Sequence, residues 1–157
     1  PGGRSPCRDL MIHNPRFWLT VAGLWLIAAG CAHTAMHVWT FVLENGIGGL
    51  REFSVNAMKQ ARSPDPLMPS MWLQFRMYSV SFGLMLFLAG SIDLLFARSD
   101  VPRRFQANIA LLGTVFWTIA FIPYAFVDPV IQSIVVAFIA VPLHSIAYIT
   151  ATVGEEP

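Results

Sequence analysis

The stretch FWLTVAGLWLIAAGCAHTAMHVWTFVL, Phe17 to Leu43, is an apolar run of 27 residues. A helix of ~20 such residues crosses the ~30 Å hydrocarbon core of a bilayer. Three more runs follow, Met77 to Ala97, Ile109 to Val127 and Val130 to Val153. They account for a composition that is 55% hydrophobic and only 12% charged, about half the charged fraction of soluble domains. A mean hydropathy of +0.59 agrees. Lipid offers backbone polar groups no water, so each run is expected to be a helix. Pro123 and Pro142 read as kinks within spans.

The expected fold is therefore all-α, a membrane-embedded antiparallel four-helix bundle. A cytoplasmic N-terminal segment covers 1–16 and the transmembrane domain 17–153, with spans at about 17–43, 72–97, 106–127 and 130–153 and an outer loop at 44–71. Small residues at Gly23, Gly30, Gly83, Gly90, Ala110 and Gly113 suit close helix packing. Trp18, Trp39, Trp72, Tyr78 and Tyr124 fall near span ends, where interface anchors belong. In the outer loop, GLREFSVNAMKQA places Leu50, Phe53 and Ala57 at helical spacing, which predicts a short helix lying on the outer surface.

Charge sets the orientation. Arg4, Arg8 and Arg16 precede the first span, and Arg98, Arg103 and Arg104 occupy the loop between spans two and three. The outer loop mixes Arg51, Lys59, Arg62 and Arg76 with Glu44, Glu52 and Asp65. Lys and Arg mark the cytoplasmic side, so both termini are expected inside. No basic stripe with interleaved aromatics points to nucleic acid.

From Met11 the chain imitates a lipoprotein signal: MIHNPR, an apolar stretch, then AAGC ending at Cys31. The apolar run continues past Cys31 to Leu43, and Ala28 stands where leucine is usual. The first span is therefore expected to stay uncleaved. Cys7 and Cys31 have no metal-binding or redox spacing.

Polar residues within the spans sort by depth into two layers. An outer cluster is expected from His33, His37, Arg76, Tyr124, Asp128 and Gln132, and an inner one from Asp93, Asn108, His144 and Tyr148. His33 and His37 lie ~24 and ~30 Å along the first span, ~14–20 Å from the level of His144. They also share a helix face, so they cannot oppose each other across a haem. The plain reading is a pair of packed histidines; the alternative is a haem or transition-metal redox site using His33 and His37. Asp93 is the one carboxylate well inside a span. Its expected partner is Asn108 or Tyr148, as helix-joining hydrogen bonds; the alternative is a transporter or channel component using Asp93 and His144. No nucleophile elbow, HExxH, P-loop or dinucleotide fingerprint occurs.

Ser70 to Ala97, SMWLQFRMYSVSFGLMLFLAGSIDLLFA, resembles span two of a family of small bacterial four-span membrane proteins of unassigned function. The matching positions are Gly30 with His33, Met58 with Lys59, Ser70 with Met71, and Tyr78, Ser79 and Phe82; Met77 and Gln74 depart, where that family favours glycine and aspartate. The resemblance implies a bacterial inner-membrane protein and transfers no activity. The function expected is non-catalytic: binding lipid or quinone between helices, or serving as an accessory subunit alongside other membrane proteins, without a cofactor.

Overall fold

The computed structural model describes residues 13–39, 50–61, 70–126 and 131–153. They form five helices: α1 (Pro15–His37), α2 (Leu50–Gln60), α3 (Met71–Arg98), α4 (Arg103–Phe126) and α5 (Ile131–Val153). No strand occurs among the described residues. Four helices are long and apolar enough to cross a membrane. Only 22–33% of the residues in the most apolar window of each are buried. Their other faces carry large exposed apolar side chains such as Leu112, Ile119 and Phe138. A helix apolar all round, with its outward face uncovered, calls for lipid as its solvent. The chain is an all-α, multi-pass membrane protein.

Local chemistry fixes where helices begin and end. Asn14 is the N-cap of α1, its Oδ1 accepting a bond from the Arg16 N–H at 2.9 Å. Pro15 follows at the first helical position, where its missing N–H costs nothing. The expected first span began at Phe17, and this cap adds two residues. At the other end α1 is described to His37, with a wider turn over Val38 and Trp39; the expected continuation to Leu43 lies outside the described residues from 40 onward. Ser70 precedes α3 and accepts from the Leu73 N–H. Ser99 closes it by donating to the Leu95 carbonyl at 2.6 Å.

The chain divides into two units, residues 1–27 with 88–157, and residues 28–87. α1 and α3 contribute to both. The first unit has a core of Leu19, Ala97, Ala110 and Ala147, flanked by Trp18, Ile109 and Tyr148. One core residue comes from each spanning helix. Leu19 and Ala110 belong to early turns of α1 and α4, while Ala97 and Ala147 belong to late turns of α3 and α5. The four segments therefore run alternately up and down, as an antiparallel four-helix bundle.

Small residues make this bundle tight. α5 buries Ser133, Ala137, Ala140, His144, Ala147 and Ala151, spaced by threes and fours along one face. α3 answers with buried Gly90, Asp93 and Ala97. α1 meets α3 backbone to backbone. A Cβ added at Gly90 would lie 2.5 Å from the Gly23 carbonyl oxygen and 2.9 Å from Ile27. Membrane helices gain little from hydrophobic transfer against one another, so close packing of this kind supplies the association.

The second unit joins the later half of α1, the first half of α3 and α2. Gly30 fits against Gly83 in the same manner, and Thr34 also packs on Gly83. The expected short helix is present as α2; Val55 is buried in it, while Phe53 is 74% exposed. Lys59 sets its ammonium 5.6 Å from the ring centre of Trp72, a cation–π contact joining α2 to α3.

Candidate functional site

Asp93 on α3 and His144 on α5 are buried in the first unit, 5% and 1% exposed. Their side chains meet, His144 Nε2 standing 3.0 Å from Asp93 Oδ2. The other ring nitrogen, Nδ1, lies 2.8 Å from the Ala140 carbonyl oxygen. A carbonyl only accepts, so Nδ1 carries a hydrogen and donates it. Nδ1–H is committed to Ala140 whether the ring is neutral or protonated, and Nε2 faces the Asp93 carboxyl group. α4 supplies the floor: a Cβ at Gly113 would collide with the imidazole, lying 2.6 Å from Nε2. α1 lets Asp93 in through Gly23, where a Cβ would come within 3.1 Å of the Asp93 Cβ. All four helices thus shape one polar pair in an apolar interior.

This differs from the partner expected for Asp93. Asn108 is exposed on α4, and Tyr148 is half-buried against the Leu19 core. Of the expected inner cluster, the structure brings Asp93 and His144 together.

The same unit carries a polar cleft at the arginine-rich end. About 390 Å³ in volume, it is lined by His13, Asn14, Pro15, Arg16, Arg103 and Gln106. Arg103 bridges helix ends, its Nη2 donating to the Thr150 carbonyl at 2.6 Å and to that of His13 at 3.4 Å. The first bond satisfies a carbonyl in the last turn of α5, which has no intrahelical partner to expect. Gln106 is 2% exposed, its Nε2 donating to the Val101 carbonyl. Arg16 pairs with Asp100 at 3.2 Å, but the Asp100 side chain is fully exposed, and such a pair contributes little. Sequence reasoning used these arginines only for orientation and did not single out Gln106.

In the second unit, His33 Nε2 lies 3.0 Å from Ser79 Oγ and 3.1 Å from the Ser79 carbonyl. Its ring meets Phe82 edge-on at 5.1 Å. His37, one turn on, is buried beside Phe75, ring centres 6.4 Å apart. Arg76 is half-buried. Ser79 and Phe82, noted above only for a family likeness, are thus the residues that hold His33. Among the described residues, no group of three His, Cys, Asp or Glu side chains comes together in a way that could hold a metal ion. Of the remaining outer-cluster residues, Gln132 is exposed in the first turn of α5 and Tyr124 lies on α4, while Asp128 is outside the described residues. An apolar groove of about 650 Å³ runs beside the Gly30–Gly83 contact, walled by Cys31, Ala35, Trp39, Leu84 and Phe87 among others.

Comparison with protein-family models, with curated proteins and with solved structures gives no match. The site is therefore read from its own geometry.

Proposed function

We propose that this is a non-catalytic membrane protein that holds an anionic phospholipid between its helices at the arginine-rich end. The observation that carries this is the cleft of Arg16, Arg103 and Gln106, which has no carboxylate among its described lining residues, Asp100 reaching Arg16 only from an exposed position outside it. Basic pockets between spanning helices on the cytoplasmic side suit phosphate headgroups. A volume of about 390 Å³ lies in the range of small-ligand sites.

The helix ends strengthen the argument. α1 and α4 both begin here, with no acidic residue in either first turn. Arg16, Arg103 and Arg104 stand there instead. A cation at a helix N-terminus opposes the macrodipole by ~0.3–1 kcal/mol. An anionic headgroup in the cleft would offset that cost and pair with the guanidiniums, whose planar forks suit phosphate. The same charge argument favours a phospholipid over a neutral quinone. In this reading the protein resides in a bacterial inner membrane with both termini cytoplasmic, the arginines marking the inner leaflet. Service as an accessory subunit is compatible with it.

The test compares thermal unfolding of the full chain in vesicles of phosphatidylcholine alone and with added phosphatidylglycerol. The anionic lipid should raise the transition, and Arg16→Gln and Arg103→Lys should each blunt the rise. Arg98→Gln, at the same end but outside the cleft, should leave it intact. Equal losses in all three variants would reduce the effect to diffuse surface charge and end the proposal.

A further inference from the structure

The geometry points to Asp93 and His144 as a one-proton binding site that exchanges with the arginine-rich side of the membrane. The inference is independent of lipid in the cleft. It begins from the hydrogen count. Nδ1–H of His144 is committed to the Ala140 carbonyl at 2.8 Å. Between Nε2 and Oδ2, at 3.0 Å, a hydrogen bond needs one proton. That proton has two homes. Bonded to oxygen, it makes a neutral carboxylic acid donating to a neutral imidazole. Bonded to nitrogen, it makes an imidazolium donating to a carboxylate. One transfer converts the two, breaking the O–H bond as the N–H bond forms, and the pair is electrically neutral in both. Removal of the proton leaves a carboxylate facing an imidazole lone pair across 3.0 Å, with a net negative charge in the bundle. The pair therefore stores one proton at rest and changes charge when it gives that proton up.

The surroundings leave this function to the pair alone. α1 presents Gly23 to Asp93, and α4 presents Gly113 to His144. Neither can titrate. The titratable neighbour on α5 is Tyr148, one turn on and half-buried. Besides Asp93, the charged side chains among the described residues of this unit are Arg16, Arg98, Asp100, Arg103 and Arg104, and all five belong to the arginine-rich end. Ionisable groups inside a span mark proton or ion pathways when they face the bundle interior, and these two do.

The route follows from depth. Asp93 stands five residues before Arg98, ~7.5 Å along α3, and His144 six before Thr150, ~9 Å along α5. The opposite end of α5, at Ile131, is ~20 Å away. On the short side the centre of the bundle is filled by Ala97, Ala110, Ala147 and Leu19, with Trp18, Ile109 and Tyr148 packed around them. Three of the four central residues are alanines, the least bulky side chains apart from glycine. Buried Gln106 stands beyond them, with both a donor and an acceptor for a transient water.

The experiment uses the full chain, labelled with nitrogen-15 histidine, in phosphatidylcholine–phosphatidylglycerol vesicles sorted to one orientation. NMR of His144 should show the Nδ1–H form. Infrared spectra should show an Asp93 carboxyl or His144 imidazolium signal that responds to pH and to heavy water when these are changed on the arginine side. Asp93→Asn keeps a donor for Nε2 and should lose that signal completely while keeping the thermal transition. Overturning results are equally clear. A pair whose proton neither exchanges nor titrates over the whole pH range in which the fold survives is a sealed structural clamp. Exchange from the other side alone refutes the route. The wild-type measurement decides the matter even if the variant does not fold.

Discussion

Whether the Asp93–His144 contact holds the bundle together can be settled by a double-mutant cycle in Asp93→Leu, His144→Leu and the two combined. Both residues are almost wholly buried, so neither partner can turn to water when the other is removed. Asp93→Leu leaves one imidazole nitrogen without a partner, a loss of ~1–3 kcal/mol. His144→Leu is the harsher change. It removes both hydrogen bonds of the ring and strands a carboxyl in an apolar interior, which costs ~3–5 kcal/mol if charged and less if it takes up a proton. The double variant has nothing left unpaired, and leucine approximates the volume of either side chain. It should be no worse than His144→Leu alone. Interhelical hydrogen bonds in membranes average ~0.6 kcal/mol and reach ~1.7 kcal/mol, so a coupling energy near the upper value is expected for a contact this buried. Asp93→Asn calibrates the charge. Its amide can donate to Nε2 while Nδ1–H stays on Ala140, so its cost should stay within ~0.6 kcal/mol. Reversible unfolding in mixed detergent micelles, followed by circular dichroism, supplies the four free energies. Strict additivity of the two leucine changes would refute the reasoning, because it would mean that the partners do not feel each other in the folded state.

Gly90→Leu should weaken the α1–α3 crossing, since the Cβ alone would stand 2.5 Å from the Gly23 carbonyl oxygen; a loss of ~1–3 kcal/mol or more is expected, read from the same unfolding assay, and an unchanged transition would show that this contact is not tight in solution. For topology, a phosphatase reporter should be inactive when fused after Pro157 and active at Asn56, because the arginines place the termini inside; the reverse pattern would overturn that orientation. Intact mass of membrane-extracted protein should show the first span uncleaved. A diacylglyceryl-modified chain beginning at Cys31 would remove that span.

The four spans were legible because a bilayer imposes a simple demand, ~20 apolar residues in a row, and four runs meet it. The α2 helix was legible from spacing, but its buried side was not. Leu50, Phe53 and Ala57 make a regular row, yet Phe53 and Ala57 are exposed and Val55 is buried. Such a short helix can rotate about its axis until one side chain finds a neighbour. For Asp93 the expected hydrogen-bond partner was Asn108 or Tyr148, with His144 only in the alternative reading, and the structure pairs it with His144. Rise per residue gives position along a helix; it says nothing about direction around it. Asn108 and Asp93 were matched by depth alone, but Asn108 is exposed on its helix. A signal for direction was present and unused. Ala137, Ala140, Ala147 and Ala151 are spaced by threes and fours, and His144 falls in register with them. A histidine within a stripe of alanines on a membrane helix belongs to the closely packed face.

That stripe also explains why the pair sits where it does. Alanine faces bring backbones so close that a side chain as large as imidazole has no room at an average position. Room exists only where the opposing residue is smaller still. Gly113 stands opposite the His144 ring, and Gly23 opposite the Asp93 Cβ; each subtracts a methyl group where a polar side chain must enter. The two glycines and the two polar residues therefore work as one unit spread over four helices. Either glycine enlarged to alanine should act on the pair without altering its chemistry. In Gly113→Ala the new methyl would press on Cδ2 and Nε2 of His144, and the ring can yield only by lengthening its bond to Asp93 or to Ala140. The hydrogen bond to Asp93 should then weaken while both residues remain, which separates the geometry of the contact from the identity of its partners. A Gly113→Ala protein whose His144 NMR signals match the wild type would show that the floor of the site is softer than its packing implies.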